Sequence, residues 1–441
     1  MQNEGMVRKA TVKAESKRTS GKTQKGRRSS LGEKSRGAEV ASTELARKIN
    51  RDLVLELVRM YQPIARVDLA RASGLQNSTV SVIVEQLIEE GWIREGEALK
   101  TPRGRRPTQI SLNDQVAMLV ADIHPGRAVL ATVDLNGLLL DQREICLSPA
   151  VKQSVTKLGN ALAALRDEHD ERVFMGLGVC VPGRVDGQTG RLIVAPNLHW
   201  QNYDIRAALN KRLGLPVEME NDANACLLSE LWFGRLDGVR NAVLLAISEG
   251  LGGSLLADSH LISGRLGLAG EFGHICVAPS GPQCECGRHG CWEMFASSRA
   301  ALAHYHQRRP HTPQLDYREL ARLAEAGDEH AVAAIDLQAR AIGRGLRMVT
   351  AALAPELILF AGDISYAWKV AHPAILEECK RTLLVGKVPR LMCTGDGRKA
   401  HLLGAGALVL QRHSGYYRSR SADRAANAQT VGKRLGRAAL V

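Results

Sequence analysis

Apolar and polar positions first fall into a helical rhythm at Thr43. Leu45, Ile49, Leu53 and Leu57 recur every four residues with Val54 and Val58 beside them, predicting an amphipathic helix that Pro63 closes. A short second helix is predicted over Val67–Ala72 and is broken by Ser73-Gly74. Asn77 then stands as the cap of a third helix, in which Val80, Ile83, Val84, Leu87 and Ile88 share one face. After Gly91, Trp92-Ile93-Arg94 and the alternating segment Thr108–Leu112 read as two strands of a hairpin.

Helix, helix, turn, helix and hairpin is the order of a winged helix-turn-helix. The outward face of the third helix carries Ser78, Thr79, Ser81, Val82 and Gln86, small or hydrogen-bonding side chains that suit a DNA major groove. The same pattern also fits a small helical bundle used for protein contact. Lys100-Thr101-Pro102-Arg103-Gly104-Arg105-Arg106-Pro107 favours DNA, because Pro and Gly keep the stretch extended and it holds four cations and no acid. Arg103, Arg105 and Arg106 would suit a narrow A·T-rich minor groove; a merely soluble linker is the alternative, and the position between a wing strand and the next domain favours DNA contact.

From Ala117 the rhythm changes again. Strand-like runs over Met118–Ile123, Ala128–Asp134 and Val173–Val179, with a helical run over Ser154–Leu165, predict α/β architecture. Glycine turns at Pro182-Gly183 and Gly250–Gly253 follow, and Leu357–Phe360 with Ala361-Gly362-Asp363 repeats a strand and its turn. Two related lobes around a cleft are expected.

Charge alters this picture little. The formal net charge is +13, but residues 1–39 hold 11 Lys/Arg against 4 Asp/Glu and residues 414–441 hold 6 against 1, so the body between is nearly neutral. Both tails read as solvated disorder, with a phosphate-seeking arm as the alternative. Neither a membrane-spanning run nor a secretory signal is found, which points to the cytoplasm. The nine cysteines, an odd number, fit a reduced compartment and a metal better than a disulfide framework.

The strongest chemical signal is Gly270-Glu271-Phe272-Gly273-His274 followed by Cys284-Glu285-Cys286-Gly287-Arg288-His289-Gly290-Cys291. One imidazole and three thiols at this spacing match a tetrahedral zinc site of His274, Cys284, Cys286 and Cys291. Four protein ligands fill the shell, so the ion would be structural. His289 is the other candidate for the nitrogen ligand.

The run from Glu271 to Glu293 resembles the signature of the ROK family (repressor, open reading frame, kinase). Gly178–Gly183, Pro196-Asn197-Leu198, Glu220–Ala225 and Gly404–Ala407 are similar to further motifs of that family in the same order. Arg47–Asn50, Gly74-Leu75, Ser78–Ser81 and Gly104–Pro107 resemble the DNA-binding part of its regulators, such as xylose and N-acetylglucosamine repressors. The resemblance implies an actin-like, two-lobed sugar-kinase fold with a sugar in the cleft. It assigns Asn197, Asn221, Asp222, Glu271, His274 and Glu293 to sugar hydroxyls, a task for which carboxylates and amides are suited. Asn197 also reads as a turn residue, and Asn221 with Asp222 as a helix cap.

A kinase of this family needs loops that hold phosphate. Here Asp122-Ile123-His124-Pro125-Gly126-Arg127 stands where the kinases have Asp followed by Gly-Gly-Thr; Glu249 stands where they carry Thr; and Ala361-Gly362-Asp363 replaces a Gly-Gly pair. Proline removes an N–H donor and a carboxylate repels phosphate. No catalytic residue is therefore expected, although Asp222 matches the kinases' base.

The expectation is a winged helix-turn-helix joined to an α/β two-lobed actin-like domain. Residues 1–42 would be a basic tail, 43–112 the DNA-binding domain with its Arg-rich linker, 113–413 the sugar-binding domain and 414–441 a second tail. The protein would be a homodimer or higher homo-oligomer on an inverted-repeat operator with A·T-rich flanks, released by a monosaccharide or sugar derivative. The alternative is an ATP-dependent sugar kinase with a regulatory head.

Overall fold

The computed structural model describes residues 43–98, 108–186, 191–234, 239–258, 260–382, 387–394 and 397–414. The expected tails and the cations Arg103, Arg105 and Arg106 lie outside the described residues.

The chain opens with α1 (Thr43–Tyr61), β1 (Ile64–Ala65), α2 (Arg66–Ser73), α3 (Asn77–Glu89), β2 (Ile93–Ala98) and β3 (Thr108–Leu112). The hairpin forms as the alternation predicts, and β1 adds a third strand to it in the order β1-β3-β2. Val54, Val58, Leu69, Val80, Val84, Leu87, Ile93 and Ile110 make the small core. The apolar stripe of α1 turns further toward Val54 and Val58 than the four-residue repeat suggests, leaving Ile49 and Leu53 half-buried.

One cap departs from the expectation. Asn77 is the first residue of α3, and Gln76 occupies the cap position in extended backbone without a side-chain hydrogen bond. Gly74 ends α2 in the left-handed region at φ 72°, and the short turn after it starts α3 one residue after the cap position.

The large domain then runs through β4 (Val116–His124), β5 (Arg127–Asp134), β6 (Leu139–Cys146), α4 (Val151–Asp167), β7 (Val173–Val181), β8 (Arg184–Asp186), β9 (Arg191–Ala195), β10 (Trp200–Gln201), α5 (Ile205–Leu213), β11 (Val217–Asn221) and α6 (Asp222–Trp232). Its second half holds β12 (Ala242–Ile247), β13 (Leu251–Ala257), β14 (His260–Leu261), α7 (Glu293–Ala296), α8 (Ser298–Arg308), α9 (Tyr317–Glu325), α10 (Glu329–Leu353), β15 (Leu357–Ala361), α11 (Ile364–Thr382), β16 (Arg390–Cys393) and α12 (Gly397–Ser414).

Two five-stranded sheets result, ordered β11-β7-β4-β5-β6 and β14-β13-β12-β15-β16. Each is an antiparallel three-strand meander whose first strand takes a parallel partner on its other side, followed by one more parallel strand. This repeated topology is the pair of related lobes that the recurring strand-and-turn pattern suggests.

Helices α6 and α12 share one core with faces of both sheets and with the N-terminal unit. Close approach decides their residues: a Cβ on Gly178 of β7 would lie 1.8 Å from the Ala405 carbonyl oxygen, and one on Gly404 2.0 Å from that of Ala225. Among the described residues no helix is long and apolar enough to cross a membrane.

Candidate functional site

The thiols and imidazole converge. His274, Cys284, Cys286 and Cys291 bring their ligand atoms within 4.8 Å of one another. His274 Nδ1 lies 3.6 Å from Cys284 Sγ, and Cys286 Sγ lies 3.6 Å from Cys291 Sγ. The backbone makes this possible by a tight reversal: Gly290 has φ 67°, and a Cβ there would sit 1.6 Å from the Ala278 carbonyl oxygen. The Cys286 amide points at Cys284 Sγ at 3.4 Å, a donor that favours a thiolate. His289 bonds instead to the Gly281 carbonyl and stands outside the group.

Glu293 joins this cluster to the glycines around the start of β13. Its buried carboxylate accepts from the Cys284 thiol at 2.8 Å and lies 3.4 Å from His274 Nδ1. Burial, then the hydrogen bond to Glu293, push the Cys284 thiol up, so an ion here must displace its proton. A Cβ on Gly250 would meet Glu293 at 3.2 Å, and one on Gly252 would meet Ala223, the neighbour of Asp222, at 3.7 Å. Gly250 and Gly252, around the start of β13, thus connect the 271–293 segment to the start of α6.

At that start both readings of one motif are visible. Asn221 caps α6 by accepting from the Asn224 amide at 2.7 Å, and Asp222 accepts from the Ala223 amide at 2.9 Å. Both remain half-buried. Glu271 is exposed and sits 3.9 Å from His274. Asn197 is exposed on a short 3₁₀ turn after β9.

The loops that would meet phosphate are acidic or filled. Glu249, Asp316 and Asp363 line a cavity of about 800 Å³ together with Arg299 and Arg318. Burial raises the Asp363 carboxyl, and the Glu249 and Asp316 charges add to that rise, although Ser298 donates to it at 2.8 Å. In the first loop Pro125-Gly126 is a tight turn, and the Asp122 carboxylate is taken up by His124 and His401.

In the N-terminal unit, Asn77 and Ser78 are exposed on α3, Thr79 and Ser81 are half-exposed, and Val82 is 65% exposed. The described part of this face holds no cation of its own: α3 carries only the acids Glu85 and Glu89 among charged residues. A contact that the sequence did not reveal joins this unit to the rest. Arg59 of α1 donates to the Trp232 carbonyl at the end of α6, Gln62 donates to Asn136 at 2.7 Å, and Trp92, Leu135, Trp232 and Leu410 meet around the same seam.

The ROK family profile matches residues 122–412. The chain belongs to the ROK family. Its two mixed sheets are therefore the actin-like, sugar-kinase type of fold. Among ROK relatives, the "Xylose repressor" of Bacillus spizizenii is 27% identical over 383 residues, 85% of this chain and 98% of its own. The "DNA-binding transcriptional dual regulator NagC" of Escherichia coli is 28% identical over 388 residues, 84% of this chain and 95% of its own. The crystal structure of a ROK family transcriptional regulator, a homologue of the E. coli MLC protein, superposes with a TM-score of 0.73 at 26% identity, covering 84% of this chain and 97% of its own. A ROK glucokinase from Streptomyces griseus, solved with glucose and AMPPNP, gives a TM-score of 0.59 at 29% identity over 67% of this chain and 99% of its own.

Proposed function

We propose that this protein is a sugar-responsive transcriptional repressor, with residues 43–112 as a winged helix-turn-helix head and 113–413 as the sensing domain. The observation that carries the reading is coverage. The Bacillus spizizenii xylose repressor and the Escherichia coli dual regulator NagC extend over 85% and 84% of the chain, whereas the glucokinase uses its whole length to cover 67%. The head is the natural surplus, since the family profile begins only at residue 122.

In this reading the exposed N-terminal part of α3, with Asn77, Ser78, Thr79 and Ser81, reads base edges, and Arg103, Arg105 and Arg106 enter adjacent minor grooves. A dimer would place two heads on an inverted repeat. The four-residue cluster fits zinc. Bonds of about 2.3 Å to sulfur and 2.0–2.1 Å to nitrogen imply ligand-to-ligand edges of roughly 3.5–3.8 Å, and the two observed edges are 3.6 Å. Zinc bound there would be structural. Its ligands would hold the 271–293 segment, so that Glu271, His274 and Glu293 face the same sugar as Asn197, Asn221 and Asp222.

Coupling would run along α6, which starts at the sugar-facing Asp222 and ends at Trp232, where Arg59 of the head is bound. A sugar that favours one arrangement of the lobes shifts operator affinity by its differential binding to the two states. Fluorescence anisotropy with DNA from upstream of the protein's own and neighbouring genes, with and without a panel of monosaccharides and sugar phosphates, tests this. Binding that one sugar weakens is expected; absence of binding to any such DNA would sink the proposal.

A kinase reading draws support from Asp222 and from the likeness to the glucokinase. Against it, the carboxylates of Glu249, Asp316 and Asp363 face the cavity, and Asp122 is already occupied by two histidines. No sugar-dependent ATP consumption is expected; consumption that Asp222→Asn abolishes would establish the kinase instead.

A further inference from the structure

At the end of β4 a second convergence of metal-ligating side chains stands apart from the Cys/His cluster. The Asp122 carboxylate is 2% exposed, and two imidazoles reach its Oδ2: His124 Nε2 at 2.8 Å and His401 Nδ1 at 3.1 Å. The three ligand atoms lie within 4.8 Å of one another, and the imidazole rings are 6.1 Å apart at 30°. The histidine side chains keep 23% and 20% of their exposure, so the group is buried on the Asp122 side and open on the other. The buried thiols of Cys180 on β7 and Cys226 on α6 adjoin Asp122 and His401.

The arrangement has a chemical reading beyond a hydrogen-bonded pair. Two imidazole nitrogens gathered round one carboxylate oxygen, on histidine side chains that are partly exposed, supply the N,O donor set of divalent first-row transition metals. Three protein ligands leave at least one coordination position free. Sequence spacing conceals the group, since His401 lies 279 residues from Asp122 and only the packing of α12 beside β4 brings it in.

We propose that Asp122, His124 and His401 form a second metal site, which takes a divalent transition-metal ion and keeps a position open to an exogenous donor. Such an ion fastens the turn between β4 and β5 to the start of α12, the helix whose Leu410 lines the contact with the head. The site is independent of the zinc reading of the Cys/His cluster and is tested separately from it.

The full chain, stripped by chelator and titrated with Co²⁺ alone, distinguishes the two. The expected result is two equivalents bound per chain, one with intense thiolate-to-cobalt charge transfer and one with weak ligand-field bands only. His124→Gln and His401→Gln should each lose the second equivalent and retain the charge-transfer band. Cys286→Ser should do the reverse, so failure of the thiolate site is read on its own. A natural chain with no Co²⁺ uptake outside the charge-transfer band overturns the proposal, as does a second equivalent that survives in both histidine variants.

Discussion

At the residue scale, the cysteines were legible because thiol spacing in a glycine-rich turn has few uses, and the turn brings them together as the spacing requires. Cys286→Ser is expected to abolish zinc uptake at this cluster and to lower the thermal midpoint by several degrees, since a structural ion is part of the folding free energy; metal analysis and thermal unfolding check it. Other residues were ambiguous on their own. Asn221 was read both as a cap and as a sugar ligand, and the cap is what the hydrogen bond to Asn224 makes visible. Asp52 was not singled out at all. Burial outweighs the pairing with Arg51 and pushes its carboxyl to about 6 from an unfolded value near 3.8. Folding therefore favours the protonated form, so this contribution is fully present below about pH 4 and is lost as pH rises through 6. Asp52→Asn should stabilise the chain at pH 8 by about 1–3 kcal/mol, and the difference should close at pH 4 in paired denaturation curves.

At the element scale, periodicity located the helices and strands, and close approach explains which residues they could not do without. The Gly404–Ala407 motif, read from resemblance, is the surface on which α12 meets β7 and α6. Gly178→Ala would drive a methyl group into the Ala405 carbonyl, and Gly404→Ala one into that of Ala225. Each should cost about 3 kcal/mol or more, since backbone on both sides leaves no side chain to yield. Soluble yield and urea midpoints measure this, and a variant within 0.5 kcal/mol of the natural chain, roughly the scatter of a surface change, would contradict it. The displaced cap at Asn77 belongs here too, because the turn after Gly74 sets where α3 begins.

At the scale of the whole molecule, the head is not an appendage on a linker alone. Its core continues into α6 and α12, and Arg59 is bound to the end of α6. On the proposed function, Arg59→Ala should leave operator binding in the absence of sugar within a few-fold. The sugar effect, of the order of 5- to 150-fold for a typical allosteric coupling, should fall toward none. Anisotropy titrations with and without sugar give both numbers, and an undiminished sugar effect would remove α6 from the coupling.

What the sequence determined by itself is local in origin. Apolar rhythm placed the three helices and the hairpin, glycines and thiols at fixed offsets predicted the Cys/His cluster, and ordered motifs carried the family. These signals arise from residues a few positions apart, where backbone geometry alone relates spacing to contact. Tertiary structure decided the rest. Two meanders with the same strand order came to share one core with α6 and α12, Asp122 acquired a histidine from the far end of the chain, and Trp232 came to rest against Arg59. Contacts of that separation depend on how helices pack between sheets, a choice made by shape and close approach that no short run of residues encodes.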